Sequence, residues 1–420
     1  MSEAKTYYKN FVTMLSGNAL SQVVPFIIAP ILTRLFSPED FAIYTNFLAI
    51  STMIGIVAAG RLELAIPISK HKKEAQHIVL TGLTITAGLA VFSLVFPLFS
   101  NSISNWYESP ELADYLIYVP IAVMTFGFLG IATNWVLRAK KYSALSISKV
   151  GQSLFNNGLA ALFGYLGWGV SGLVTGWFLG QIVGIMLLVI FIDRPGRKHD
   201  FTITSFKTTI KEYKDFPMIN SLHAFTDIFA TQFLLFWIIT YAFGMKELGL
   251  FAMMNKYVRA PIILITSSVS QIFYAEVSSS LNKGLSPVPI LKKTLSTSIA
   301  FSIPFLTIIL LLGPDLFEWY FGEEWRIAGE YAQMISPMLF LFFILSPISS
   351  IPILFNQQKR GFLFAIMGYT VTLSTLWVAA RMELTFAYTL LAYSCAFAVF
   401  QLFYLYWLYT LIKKAHARSN

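Results

Sequence analysis

Twelve long apolar blocks, separated by loops whose basic residues alternate between many and almost none, constrain this chain more than any other feature. They run over Phe11–Thr33, Phe41–Gly60, Gln76–Ser100, Tyr115–Val136, Val150–Trp168, Ser171–Ile192, Pro217–Tyr241, Leu248–Tyr274, Thr294–Gly313, Tyr331–Phe355, Phe362–Ala380 and Thr385–Ile412. Each approaches or exceeds the ~20 residues, at about 1.5 Å each, that cross a hydrocarbon core of about 30 Å. Only 12% of the residues are charged against 56% hydrophobic, too few charges for a water-facing surface of this size. The reading is an all-α polytopic membrane protein of about 12 transmembrane helices.

Charge sets the expected orientation. With a cytoplasmic N-terminus, alternate loops on the inner side hold 23 Lys and Arg residues, against four outside: Arg34, Lys246, Arg326 and Arg381. This is a positive-inside pattern, and it predicts that N- and C-termini are both cytoplasmic. Arg61, Lys256 and Arg259 fall within spans on this count, and Lys149 falls in an inner loop. The net charge of +9 then belongs to topology and to anionic lipid at the inner leaflet, and nucleic acid is not an expected partner. The single cysteine, Cys395, excludes an intrachain disulfide. The first block lacks a small-residue cleavage site and reads as a retained helix.

The longest hydrophilic stretch predicts three parts: an N-terminal six-helix lobe (1–192), a cytoplasmic linker with an amphipathic helix (193–216), and a C-terminal six-helix lobe (217–420). In the linker Ile203, Phe206, Ile210 and Tyr213 recur at helical spacing, with Lys207, Lys211 and Lys214 on other faces. The halves repeat weakly. Tyr8-Lys9-Asn10-Phe11 matches Tyr213-Lys214-Asp215-Phe216, and Asn105-Trp106-Tyr107 pairs with Glu318-Trp319-Tyr320. Six spans per half make the two lobes parallel repeats, an arrangement common in transporters. No long outer or inner domain is present to host an enzyme, and no phosphate-binding loop of the Gly-x4-Gly-Lys-Ser/Thr type, so ATP hydrolysis is not expected; the reading names no catalytic site, cofactor or metal.

Charges inside the membrane cost about 2.5–3.5 kcal/mol each on insertion scales unless paired or wet. Arg61 and Glu63 close the second span in Gly60-Arg61-Leu62-Glu63-Leu64; Lys256 and Arg259 share one face of the eighth. Because these spans are equivalent in the two halves, Arg61, Lys256 and Arg259 are expected to line a cationic path suited to phosphate or diphosphate, with Glu63 beside them. The alternative is structural: Arg61 pairs with Glu63 or snorkels to the interface. His223 and Asp227, four apart in the seventh span, suit proton coupling or a simple satisfied pair. Pro25 and Pro30 make the first span an expected hinge or a fixed kink. Gly172, Gly176, Gly180 and Gly184 form a ladder for close helix packing or for gliding. The outer-loop residues Trp106, Trp319 and Trp325 suit an interfacial belt or stacking on sugar rings.

The run Ser16-Gly17-Asn18-Ala19-Leu20-Ser21-Gln22 through Pro30-Ile31-Leu32-Thr33-Arg34-Leu35-Phe36-Ser37-Pro38-Glu39-Asp40-Phe41, followed by Gly60-Arg61-Leu62-Glu63-Leu64-Ala65-Ile66, resembles bacterial polysaccharide biosynthesis proteins. These are lipid-linked oligosaccharide flippases of the O-antigen type, in the multidrug/oligosaccharidyl-lipid/polysaccharide exporter superfamily. The resemblance is specific over about the first 75 residues. It implies a multi-pass protein of the bacterial cytoplasmic (inner) membrane that moves undecaprenyl-diphosphate-linked oligosaccharide to the outer leaflet by alternating access. Membrane lipids are implied partners, and a glycan polymerase and chain-length regulator are further ones. Its motif carries over to Arg61; the roles of Lys256 and Arg259 rest on their placement alone. Two other functions stay open. A cation-coupled multidrug exporter of the same fold usually holds a carboxylate deep in the first span, which Phe11–Thr33 lacks. A membrane glycan polymerase would be expected to carry a sizeable basic outer loop, whereas Asn101–Asp114 and Pro314–Glu330 are short and acidic.

Overall fold

The computed structural model describes residues 3–192 and 202–417; the linker positions 193–201 lie outside the described residues. Among the described residues every regular element is helical. Ten helices among the described residues are long and apolar enough to cross a membrane. The second and fifth expected blocks are helices too, Pro38–Gly55 (α2) and Tyr142–Tyr165 (α5), but more polar ones. Glu39 and Asp40 open α2, and Lys149, Gln152, Asn156 and Asn157 interrupt α5.

The chain forms two compact units, Met1–Gly249 and Leu250–Asn420. The first contains α1 (Glu3–Leu35), α2, α3 (Lys72–Phe92), α4 (Val119–Arg138), α5, α6 (Val170–Ile190), the linker helix α7 (Ile203–Glu212) and α8 (Phe216–Phe243). Its buried core joins Phe47 and Ile50 of α2 to Val119 and Val123 of α4, Trp177 of α6 and Phe233 of α8. Inside it the buried Asn46 amide donates to Thr240 Oγ1 at 3.3 Å, tying α2 to α8. The seventh membrane helix thus packs within the first compact unit, whereas the sequence repeat divides the chain at residue 217.

Helices α5 and α6 form a tight hairpin. Its turn uses Gly167 and Gly169 at φ +78° and +53°, a region that side chains with a Cβ rarely adopt. The glycine ladder of α6 faces α5: a Cβ at Gly176 would stand 2.7 Å from Ala160 N, and one at Gly180 would stand 2.8 Å from the Gln152 carbonyl. The ladder is therefore a packing surface within one unit, where backbone approaches backbone. Gln152 Nε2 donates to Gln181 Oε1 at 2.5 Å across the same seam. Helix α1 lies along α5 and runs unbroken through Pro25 and Pro30.

The second unit holds most of α9 (Met245–Asn282), with α10 (Val288–Phe321), α11 (Arg326–Met334), α12 (Ser336–Leu345), α13 (Gln358–Arg381) and α14 (Phe386–Ala417). Phe273, Leu291, Leu341, Ile344, Leu408 and Ile412 are among its buried core. The expected outer loop from Pro314 is shorter than the sequence suggests, because α10 continues through that proline to Phe321. At its end Arg326 pairs with Asp315 at 2.7 Å and with Glu318.

Candidate anion-recognition site

Arg61 does not lie within a span, as the sequence count had it. Helix α2 ends at Gly55, and Arg61 precedes a short 3-10 helix, Leu62–Ile68, in the connector to α3. Leu62, Ala65 and Ile66 are fully buried with Ala75 and Ile78 of α3 and Ile131 of α4, so the connector is wedged between two helices. Its far end is tied down by Arg138, whose Nε donates to Ser69 Oγ at 3.0 Å. A Cβ at Gly60 would stand 3.2 Å from Ile85 Cδ1 and 3.8 Å from Pro217 Cβ, so the connector also abuts the start of α8.

Gly60 and Arg61 take successive left-handed conformations, with φ +62° and +57°. For arginine that backbone costs roughly 1–2 kcal/mol, a strain held in place by the buried residues on either side. The guanidinium is loosely paired: Nη1 lies 3.7 Å from Glu63 Oε1, and Nε has no hydrogen-bond partner in the protein. Glu63 is 93% buried, with a relative exposure of 7%, and its Oε2 is also unpartnered. Burial pushes its carboxyl above the usual range, with Arg61 and a backbone N–H opposing. A strained arginine with an unused Nε donor can offer that donor to an anionic ligand, provided the adjoining Glu63 carboxyl is neutral or stays paired with Nη1.

Lys256 and Arg259 lie on α9 in the second unit, 11 and 14 residues past its start, about 16 and 21 Å along the axis. They sit deeper than the sequence block suggested, because the helix begins earlier. Lys256 is exposed, its Nζ 5.2 Å from the Tyr257 ring centre. The Arg259 guanidinium lies over the Phe342 ring of α12 at 4.3 Å, a cation–π contact that holds the group in place.

His223 and Asp227 share a helical stretch of α8, Ser221–Ile228, bracketed by two π-helical stretches, Phe216–Asn220 and Phe229–Leu234. Such wide turns are rare and often mark functional positions. Of the three tryptophans, Trp106 is half-exposed and its ring lies 4.7 Å from that of Trp237, whose indole N–H donates to the Trp106 carbonyl. Trp319 is exposed, but Trp325 is 1% exposed and belongs to the interior, so it is not available to a sugar.

A cavity of about 630 Å³ opens between the first turns of α3 and the linker helix, lined by His71, Lys73, Glu74, His77, Thr208 and Tyr213 among others. One oxygen of Glu74 caps its own helix, accepting from the Lys70 and His71 amides at 2.9 and 3.2 Å. The other accepts from the Tyr213 hydroxyl. No group of residues arranged to hold a metal ion occurs among the described residues.

The sequence reading misplaced Lys149. It assigned the residue to an inner loop, but the side chain projects from the eighth position of α5. The signal was available: Ser146, Lys149, Ser153 and Asn156 recur at intervals of three and four, a polar stripe on one helical face.

A family profile described as "Polysaccharide biosynthesis protein" matches residues 31–329. The succinoglycan biosynthesis transport protein ExoT of Rhizobium meliloti (strain 1021) is 22% identical over 275 residues, 64% of this chain; the match spans about half (53%) of that relative's length. The solved structure of the lipid II flippase MurJ in an inward closed conformation superimposes with a TM-score of 0.74, covering 97% of this chain and 90% of the other at 15% identity. An inward-facing multidrug resistance MATE family transporter of the MOP superfamily gives 0.70, covering 95% and 96% at 12% identity. With a transporter fold in a multi-pass membrane chain and a family match over most of its length, the chain belongs to the polysaccharide biosynthesis protein family.

Proposed function

We propose that the protein is a flippase that moves undecaprenyl-diphosphate-linked oligosaccharide repeat units from the inner to the outer leaflet of the bacterial cytoplasmic membrane. Transport proceeds by alternating access, for O-antigen or a related surface polysaccharide. The observation that carries this reading is Arg61: a family-motif arginine held in a strained backbone on a buried connector, with an unpartnered Nε. Structural pairing alone does not require that strain, whereas recognition of a diphosphate uses the fork of donors it presents. Lys256 and Arg259 are the cations proposed for the second unit, with Glu63 setting the orientation of Arg61. His223 and Asp227 are the proposed proton-coupling pair, and Pro25 and Pro30 the proposed hinge of α1. Six helices per half, both termini in the cytoplasm, and hand-over to a polymerase and chain-length regulator belong to the same proposal.

The test is deletion of the gene in its native host, comparing surface glycan with the inner-leaflet pool of polyprenyl-diphosphate-linked repeat units. Loss at the surface with accumulation of single units inside supports the flippase. Single unpolymerised units at the surface indicate a polymerase, and unchanged glycan with altered drug sensitivity indicates an exporter.

A further inference from the structure

Lys149 differs from Arg138 and Lys141, two basic residues near its end of α5, in what it bonds to. Arg138 is bonded to Ser69, and Lys141 Nζ donates to the Phe191 carbonyl at the end of α6, at 2.8 Å. Lys149 instead donates to Asn18 Oδ1 of α1 at 2.8 Å, and among the described residues no carboxylate pairs with it. Its side chain is exposed.

The pair is built by close helix approach. A Cβ at Gly17 would fall 2.3 Å from Ser146 Cβ, so only glycine lets α1 lie this near α5. Ser153 Oγ donates to the Ser21 carbonyl at 2.7 Å one turn further along, fixing the register. Asn18 therefore meets Lys149 in one defined geometry, occupying one of its three ammonium protons and leaving two donors free.

Depth adds the second constraint. Asn18 lies 17 residues from the end of α1, and Lys149 lies 16 from the end of α5, about 25 Å in each case. In a hydrocarbon core of about 30 Å both sit just inside the boundary, at the end next to Arg138, Lys140 and Lys141. A cation there, neutralised by no carboxylate and oriented by an amide, is stabilised by an anion at headgroup level.

We propose that Lys149, positioned by Asn18, binds the phosphate of a lipid headgroup in the seam between α1 and α5. The lipid is either the polyprenyl-diphosphate substrate or an anionic phospholipid of the same leaflet, and its substrate arm rests on the flippase reading above. The test uses the full-length protein in vesicles of phosphatidylcholine, with and without phosphatidylglycerol. Transport of a polyprenyl-diphosphate oligosaccharide is measured against its concentration, and retention of either lipid is measured by native mass spectrometry. Lys149→Gln is expected to raise KM about tenfold, the worth of one charge-assisted hydrogen bond, with kcat unchanged. Lys149→Arg is expected to stay near wild type, and Asn18→Ala to fall between. A KM rise in both vesicle types assigns the substrate diphosphate. A rise only with phosphatidylglycerol, together with loss of that lipid from the spectrum, assigns the phospholipid. Unchanged KM and unchanged lipid retention in Lys149→Gln overturn the proposal. If wild-type protein does not transport this substrate, the flippase reading fails by itself, and lipid retention by Lys149→Gln and Asn18→Ala decides the Lys149 site alone.

Discussion

The hydroxyl of Tyr213 donates to the carboxylate of Glu74 across 139 residues of chain, joining the end of the linker helix to the first turn of α3. The same carboxylate caps α3 through two backbone amides, so a single side chain holds both the helix start and the linker. Burial first, and the Glu74 bond second, raise the Tyr213 phenol above its ordinary pKa. Thr209, which is buried, is on the same side of the linker helix, while Ile203 is exposed.

Tyr213→Phe should loosen the linker without disturbing the cap. Trypsin cleavage at Lys207, Lys211 or Lys214 is expected to speed up several-fold in intact protein. Glu74→Ala should do the same and also lower thermal stability, by the loss of the cap. Equal cleavage rates in wild type and Tyr213→Phe would show that the bond does not hold the linker.

Replacing the cations should separate function from folding. Arg61→Ala and Arg259→Ala are expected to impair flipping at equal protein level, with Lys at either position restoring part of it. Full activity of the Arg61→Ala, Lys256→Ala, Arg259→Ala triple variant would dispose of the cationic-site proposal.

The strain at Arg61 offers a sharper separation. Combining Arg61→Gly with Glu63→Gln relieves a left-handed backbone without stranding a buried carboxylate. Thermal stability in detergent is expected to stay level or rise by about 1 kcal/mol while flipping falls. A variant that loses stability and activity together would assign Arg61 a structural role.

Glu63 carries a pH signature. Its folded pKa is raised, so the folded protein binds the proton more tightly than the unfolded chain. Its contribution is fully present below the unfolded pKa, near 4.5, and is lost as pH rises through the folded value. Melting temperature measured from pH 4 upward should therefore fall more steeply in wild type than in Glu63→Gln. Parallel profiles would mean that the carboxyl is not perturbed.

The α5–α6 seam predicts a contrast between two glycines. Gly180→Ala must push against the Gln152 carbonyl and is expected to cost about 1–3 kcal/mol. Gly158→Ala, with nothing within 4 Å of its Cβ, should instead stabilise α5 by about 0.5–1 kcal/mol. Chemical denaturation in detergent distinguishes them, and equal effects would refute the packing account.

Much of this protein was legible one residue at a time. Burial in lipid demands apolar helices with their backbone groups paired, so hydropathy alone classed the chain as all-α and polytopic, and ten of its twelve expected blocks correspond, among the described residues, to helices long and apolar enough to span. The glycine ladder at 172, 176, 180 and 184 announced a close helix contact, because spacing on one helix is a local property. Its partner, α5, was not legible, nor was the choice of packing over gliding. The same limit explains the misplacements. A hydropathy window ends a span at the first charge, so Lys149 read as loop; Arg61, directly after the apolar run to Gly60, was counted with its span although the helix ends at Gly55. Tertiary packing put Lys149 inside a helix against Asn18 and Arg61 on a wedged connector in a left-handed turn. Whether a charge is loop, helix or site depends on which distant backbone approaches it. That is decided by contacts between residues such as 18 and 149 or 74 and 213, which no local pattern encodes.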